Sequence, residues 1–164
     1  MTEPNRAVRG LRPGSFEDFF QLQHDAVCRP LSVSLRDAGL AREATDEAFV
    51  RAFERWETVK DYDNPTGWVY RVALNWGRSR LRRRKFEVVG AVPERGAYRS
   101  GFDPDLDQAL AKLPLDDRAM VVLKHLAGWT YEEIAEALGM KAGTVKSRLH
   151  RILSDLRTVL EVRS

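Results

Sequence analysis

The sequence predicts an all-α chain of two small helical domains joined by a flexible linker, and three observations carry that prediction. Apolar residues recur at helical spacing from Phe16 to Leu81 and again from Leu106 to Leu156. Between these stretches, residues 86–104 show no period and repeat glycine and proline. Near the C-terminus, Trp129 to Arg151 reads as a helix-turn-helix. The division is a loose tail over 1–14, a domain over 15–85, the linker over 86–104, and a second domain over 105–164.

Order is expected to begin at Ser15, whose hydroxyl caps a helix three residues before Asp18. Phe16, Phe19, Phe20, Gln23 and Val27 form its mostly apolar face, and the helix is expected to end near Pro30. A second helix is predicted over Leu31 to Ala38, closed by Gly39, and a third over Ala41 to Thr58. In the third, Ala44, Ala48, Phe49, Ala52, Phe53 and Trp56 share one side, expected to be core. Lys60 to Gly67 is turn chemistry, with Asn64 before Pro65 disfavouring helix. A fourth helix, about Thr66 to Lys85, places Trp68, Val69, Val72, Ala73, Trp76 and Leu81 among seven basic residues and no acidic one. Aromatic rings beside cations and a polar loop suit a separated DNA strand, since bases stack on rings while cations follow phosphates. Plain burial of Trp68 and Trp76 is the competing reading.

Helical spacing resumes at Leu106, Ala109, Leu110 and Leu113, breaks at Pro114, and returns through Ala119, Val122, Leu123 and Leu126. Thr130 followed by Glu133 is a capping box, and Gly139 sits where a left-handed closing residue is wanted. Val145, Leu149, Ile152, Leu153 and Leu156 then mark the inward stripe of a last helix. Its outward side carries Thr144, Lys146, Ser147, Arg148, His150 and Arg151. Such a face suits the major groove of duplex DNA, which admits a helix and displays acceptors. A hairpin whose charge is merely solvated is the bland alternative.

The 164 residues are 43% hydrophobic and 31% charged, as expected of a soluble globular chain. The single cysteine, Cys28, excludes an internal disulfide and offers no zinc-ligand spacing, so a reduced, cytoplasmic setting is expected. No apolar run has the length of a membrane span, and residues 1–14 lack a secretory hydrophobic segment. His24, His125 and His150 fall on separate segments, and neither paired carboxylates at metal-binding spacing nor a Gly-rich phosphate loop occurs. The reading is therefore a binding protein with no cofactor or metal and no enzyme activity.

The chain resembles the extracytoplasmic-function sigma factors of bacterial RNA polymerase. Leu113-Pro114, Arg118, Tyr131 to Ala135, Leu138-Gly139 and Gly143 to Arg151 are similar to the family's region four. Glu47-Ala48-Phe49, Arg51-Ala52-Phe53, Trp56, Gly67-Trp68, Tyr70 to Ala73, Asn75 and the Arg80 to Lys85 run are similar to region two. The resemblance implies a division of labour. Asp46, Glu47, Val50, Arg51 and Glu54 would dock on core RNA polymerase. Tyr62, Asp63, Asn64, Trp68, Arg71, Asn75, Arg78 and Arg82 would read the minus-ten element and hold the melted non-template strand. Thr144, Lys146, Ser147, Arg148, His150 and Arg151 would read the minus-thirty-five element in double-stranded promoter DNA. Lys146, Ser147, His150 and Arg151 would lie nearest the bases, Thr144 and Arg148 nearer phosphate. An anti-sigma factor is a possible further partner. Asp46, Ser79 and Lys141 depart from the family's usual Gln, Asp and small capping residue. The alternative is a helix-turn-helix regulator that acts without polymerase.

Overall fold

The computed structural model describes residues 14–87 and 100–163. Residues 1–13 of the expected tail over 1–14, and residues 88–99 of the expected linker, lie outside the described residues. Among the described residues there are eight helices and no strand. They are α1 (Phe16–Leu35), α2 (Ala38–Glu54), α3 (Trp56–Val59), α4 (Pro65–Glu87), α5 (Pro104–Lys112), α6 (Leu115–His125), α7 (Tyr131–Leu138) and α8 (Ala142–Arg163).

Ser15 caps α1 as expected, accepting the Asp18 N–H at 3.2 Å. The predicted break at Pro30 does not occur, and α1 runs on to Leu35. Proline removes one backbone donor, but Pro30, Leu31 and Leu35 are buried, and packing of that face outweighs the missing bond. The stop comes instead at Arg36, which adopts left-handed backbone with φ 55°. Asp37 then caps α2 by accepting the Leu40 N–H at 2.9 Å, so Gly39 lies inside a helix rather than closing one. Helix α2 ends at Glu54, four residues before the expected Thr58, and α3 follows as a separate short turn.

Helices α1, α2 and α4 pack on one another around Phe19, Leu31, Ala44, Phe49, Val69 and Ala73. Helix α8 packs on α5, α6 and α7 around Leu110, Leu123, Ile134, Val145 and Leu149. These two groups abut along a seam in which α1 meets α6 and α4 meets α7. Trp129, only 1% exposed, sets its ring edge-on to Tyr70 with centroids 5.6 Å apart. Ser34 donates to the Pro30 carbonyl at 2.9 Å, so its oxygen is free to accept from Tyr70 Oη at 3.0 Å. Burial pushes the Tyr70 phenol far above its ordinary value, which keeps it a donor. From the other side Arg118 Nε donates to the Ser34 carbonyl at 2.7 Å, and its Nη1 to those of Leu110 and Leu113 at 3.2 and 3.0 Å. At the rim, Arg36 grips Asp107 with two nitrogens at 2.9 and 3.1 Å, and Arg78 Nη2 donates to Asp116 at 2.5 Å.

Candidate nucleic-acid interface

The C-terminal face is set by the turn between α7 and α8. The capping box forms in full: Thr130 Oγ1 accepts the Glu133 N–H at 3.1 Å and the Glu133 carboxylate accepts the Thr130 N–H at 3.0 Å. Gly139 closes α7 with φ 68°, a value that strains any side-chain-bearing residue. Lys141 supplies only its carbonyl to the start of α8, accepting the Val145 N–H at 3.1 Å. Val145, Leu149, Ile152 and Leu156 then point inward and are buried.

The opposite side of α8 exposes Thr144, Lys146, Ser147, His150 and Arg151. These side chains share one accessible, mostly donor-bearing strip, with the Ser147 hydroxyl donating back to the Gly143 carbonyl at 2.6 Å. Arg148 is placed differently. It is half-buried, its Nη2 donates to Asp117 of α6, and its Nη1 lies 3.7 Å from Met140 Sδ.

In the N-terminal half, Tyr62 and Asp63 are exposed in the loop before α4, and the Tyr62 ring lies 6.2 Å from that of half-buried Trp68. Asn64 is engaged locally: its Oδ1 accepts the Gly67 N–H at 2.9 Å and so caps α4. Arg71, Asn75 and Arg82 are exposed, whereas Arg78 turns to Asp116 across the seam. The Arg71 guanidinium reaches Gly139, where a Cβ would lie 3.0 Å from Nη2.

A cleft of about 380 Å³ opens between α2 and α4, lined by Arg51, Asn75, Trp76, Ser79, Arg80 and Arg83. The Arg80 guanidinium sits over the half-buried Trp76 ring at 4.9 Å. Sequence reasoning missed this grouping, although Trp76, Ser79, Arg80 and Arg83 recur at helical spacing on one stripe.

The residues expected to dock polymerase share α2. Asp46, Val50, Arg51 and Glu54 are exposed, and Glu47, half-buried, lies 3.4 Å from Arg51 Nε. His24 Nε2 of α1 donates to Asp46 Oδ1 at 2.7 Å. Phe53, expected in the core, is 63% exposed: one edge meets the Phe16 ring of α1, with centroids 5.1 Å apart, and the rest faces outward near the end of α2. Phe53 and Val50 on α2 and Phe20 on α1 are thus large apolar side chains left exposed, which the stripe pattern alone did not reveal. No helix among the described residues is long and apolar enough to cross a membrane, and no group of three of their His, Cys, Asp and Glu side chains is placed to hold a metal ion.

The chain is similar to known proteins over most of its length. Residues 104–156, from α5 through most of α8, match the family model for sigma-70, region 4. The RNA polymerase sigma-E factor of Streptomyces coelicolor is 34% identical over 157 residues, covering 90% of this chain and 87% of that protein. The extracytoplasmic-function RNA polymerase sigma factor SigL of Mycobacterium tuberculosis is 30% identical over 151 residues, covering 85% of each. The fold is also that of the sigma factor RpoE from Bartonella quintana, solved in complex with the anti-sigma factor NepR. That likeness has a TM-score of 0.69 and 24% identity, over 91% of this chain and 98% of that one. The resemblance read from the sequence is thereby established: the chain belongs to the extracytoplasmic-function RNA polymerase sigma factors, which act in transcription initiation.

Proposed function

We propose that the chain binds core RNA polymerase and directs it to a defined promoter class, with residues 15–85 and 105–164 as its two working units. The observation that carries this reading is the outward strip of α8, where Thr144, Lys146, Ser147, His150 and Arg151 stand exposed together beside α7, a helix capped at both ends. Seated on the buried Val145, Leu149 and Ile152, α8 delivers those donors to a major groove without further ordering. The minus-thirty-five element is read there, with Arg148 nearer phosphate once it leaves Asp117.

Tyr62, Asp63, Asn64, Trp68, Arg71, Asn75, Arg78 and Arg82 receive the minus-ten element and the melted strand, stacking bases on rings and holding phosphates with arginines. Asp46, Glu47, Val50, Arg51 and Glu54, with Phe53 beside them, face polymerase. The chain acts by binding alone, performs no covalent step, and works in the cytoplasm beside its polymerase. An anti-sigma factor is its expected inhibitor, in line with the partner of the Bartonella sigma factor. The test is transcription by core polymerase on a genomic library with and without the chain. Discrete new start sites preceded by a shared two-part element are expected. Unchanged start sites, or no association with core polymerase, overturn the proposal.

A further inference from the structure

Asp116 and Asp117 are neighbours in the first turn of α6, and each holds one arginine of a different basic helix. Asp116 takes Arg78 from α4; Asp117 takes Arg148 from α8. Both arginines belong to surfaces read here as facing DNA, so each carboxylate stands where a phosphate oxygen would. The first pairing also spans the seam between the two halves. It is incomplete: Arg78 Nε is enclosed with no acceptor, whereas Arg118 is met by carbonyls on each side. Also at the rim, Arg36 pairs with Asp107, and the Arg71 guanidinium lies against Gly139 at the end of α7.

We infer that Asp116 is an internal competitor for promoter DNA: it holds Arg78 while the halves are closed and yields it to phosphate when they part. The inference rests on the promoter-binding reading above and adds that the closed seam and strand binding through Arg78 exclude each other. Asp116 contributes a charge-assisted contact that a phosphate can replace, and only the phosphate also pulls α4 away from α7. The closed form thus hides part of the minus-ten surface behind the helix-turn-helix.

Two measurements on the full chain test this. In a Cys28→Ser background, dyes attached at Thr58→Cys and Thr158→Cys report the distance between the halves without any DNA. Asp116→Asn keeps the shape and the hydrogen-bonding oxygen while removing the charge. Its energy transfer is expected to fall at lower salt than in the parent. Affinity for a forked promoter DNA, measured with core polymerase present, is expected to rise about ten-fold as Arg78 is freed. In Arg78→Gln, which lacks that phosphate contact in the complex, the slope of log affinity against log salt should flatten by about 0.7, one single-strand phosphate contact.

Unchanged energy transfer in Asp116→Asn at every salt concentration overturns the closure. Opening without a gain in affinity, or a gain without opening, overturns the competition. Arg78→Gln separates removal of a negative charge from release of the arginine: it must open the halves yet lower affinity. If the parent binds no forked DNA with polymerase, the promoter reading fails, and with it the competition. The dye distances then still decide whether Asp116 holds the seam.

Discussion

Arg118 and Arg78 both cross the seam, yet they hold it in different ways. Arg118, 8% exposed, donates to the backbone carbonyls of Ser34, Leu110 and Leu113, which carry no titratable charge. Arg78 meets one carboxylate at a rim that solvent reaches, each partner about one-third exposed. The centre is an ordinary folded interior, in which neutral acceptors and rings have no alternative partner. The rim is an electrostatic contact for which water, salt and phosphate all compete. Adjacent parts of one interface therefore respond to different variables.

The sharpest way to break this comparison is at Trp129. If the centre is true core, Trp129→Ala leaves a cavity and costs about 3–5 kcal/mol, read as a lowered midpoint in urea. A cost below about 1 kcal/mol would mean the halves do not depend on each other. Arg118→Met strands several buried carbonyls and is expected to cost on the order of 3 kcal/mol, with the loss the same in low and high salt. A loss that shrinks with salt would move Arg118 to the rim class.

Tyr70→Phe removes one neutral hydrogen bond to Ser34 while keeping the ring against Trp129, so about 1 kcal/mol is expected. The smallest effect belongs to Arg36 and Asp107. Hydrogen bonding to the Arg36 guanidinium holds the Asp107 carboxyl below its ordinary 3.8. A carboxyl lowered on folding stabilises above its unfolded value, so this contribution is complete above about 3.8 and is lost as pH falls through the lower folded value. Acid unfolding of Arg36→Gln should therefore begin at higher pH than in the parent. Coincident acid transitions would show that the pair contributes nothing.

Much of the fold was legible because its signals are local. Ser15, Thr130 with Glu133, and Gly139 act within one turn of themselves, and all three behave as their spacing predicts. Pro30 misled because a breaker is also local, while the burial that overrides it comes from residues far along the chain. Phe53 misled for the converse reason: a stripe says which residues share a side, but not where the covering helices end. The exposed strip on α8 was readable from period alone. The commitment of Arg78 and Arg148 to a pair of adjacent aspartates was not, since ion pairs 38 and 31 residues apart leave no periodic trace.

Gly77 precedes Arg78 on α4, and there a Cβ would lie 2.7 Å from Leu35 Cδ1 on α1. Even one methyl group would therefore shift the leucine or push the two helices apart, and α4 would carry its guanidinium with it. The reach of that arginine towards α6 depends on a missing side chain in the interior. A sub-ångström adjustment there would retune how readily the molecule lets go of itself, without touching a single charge.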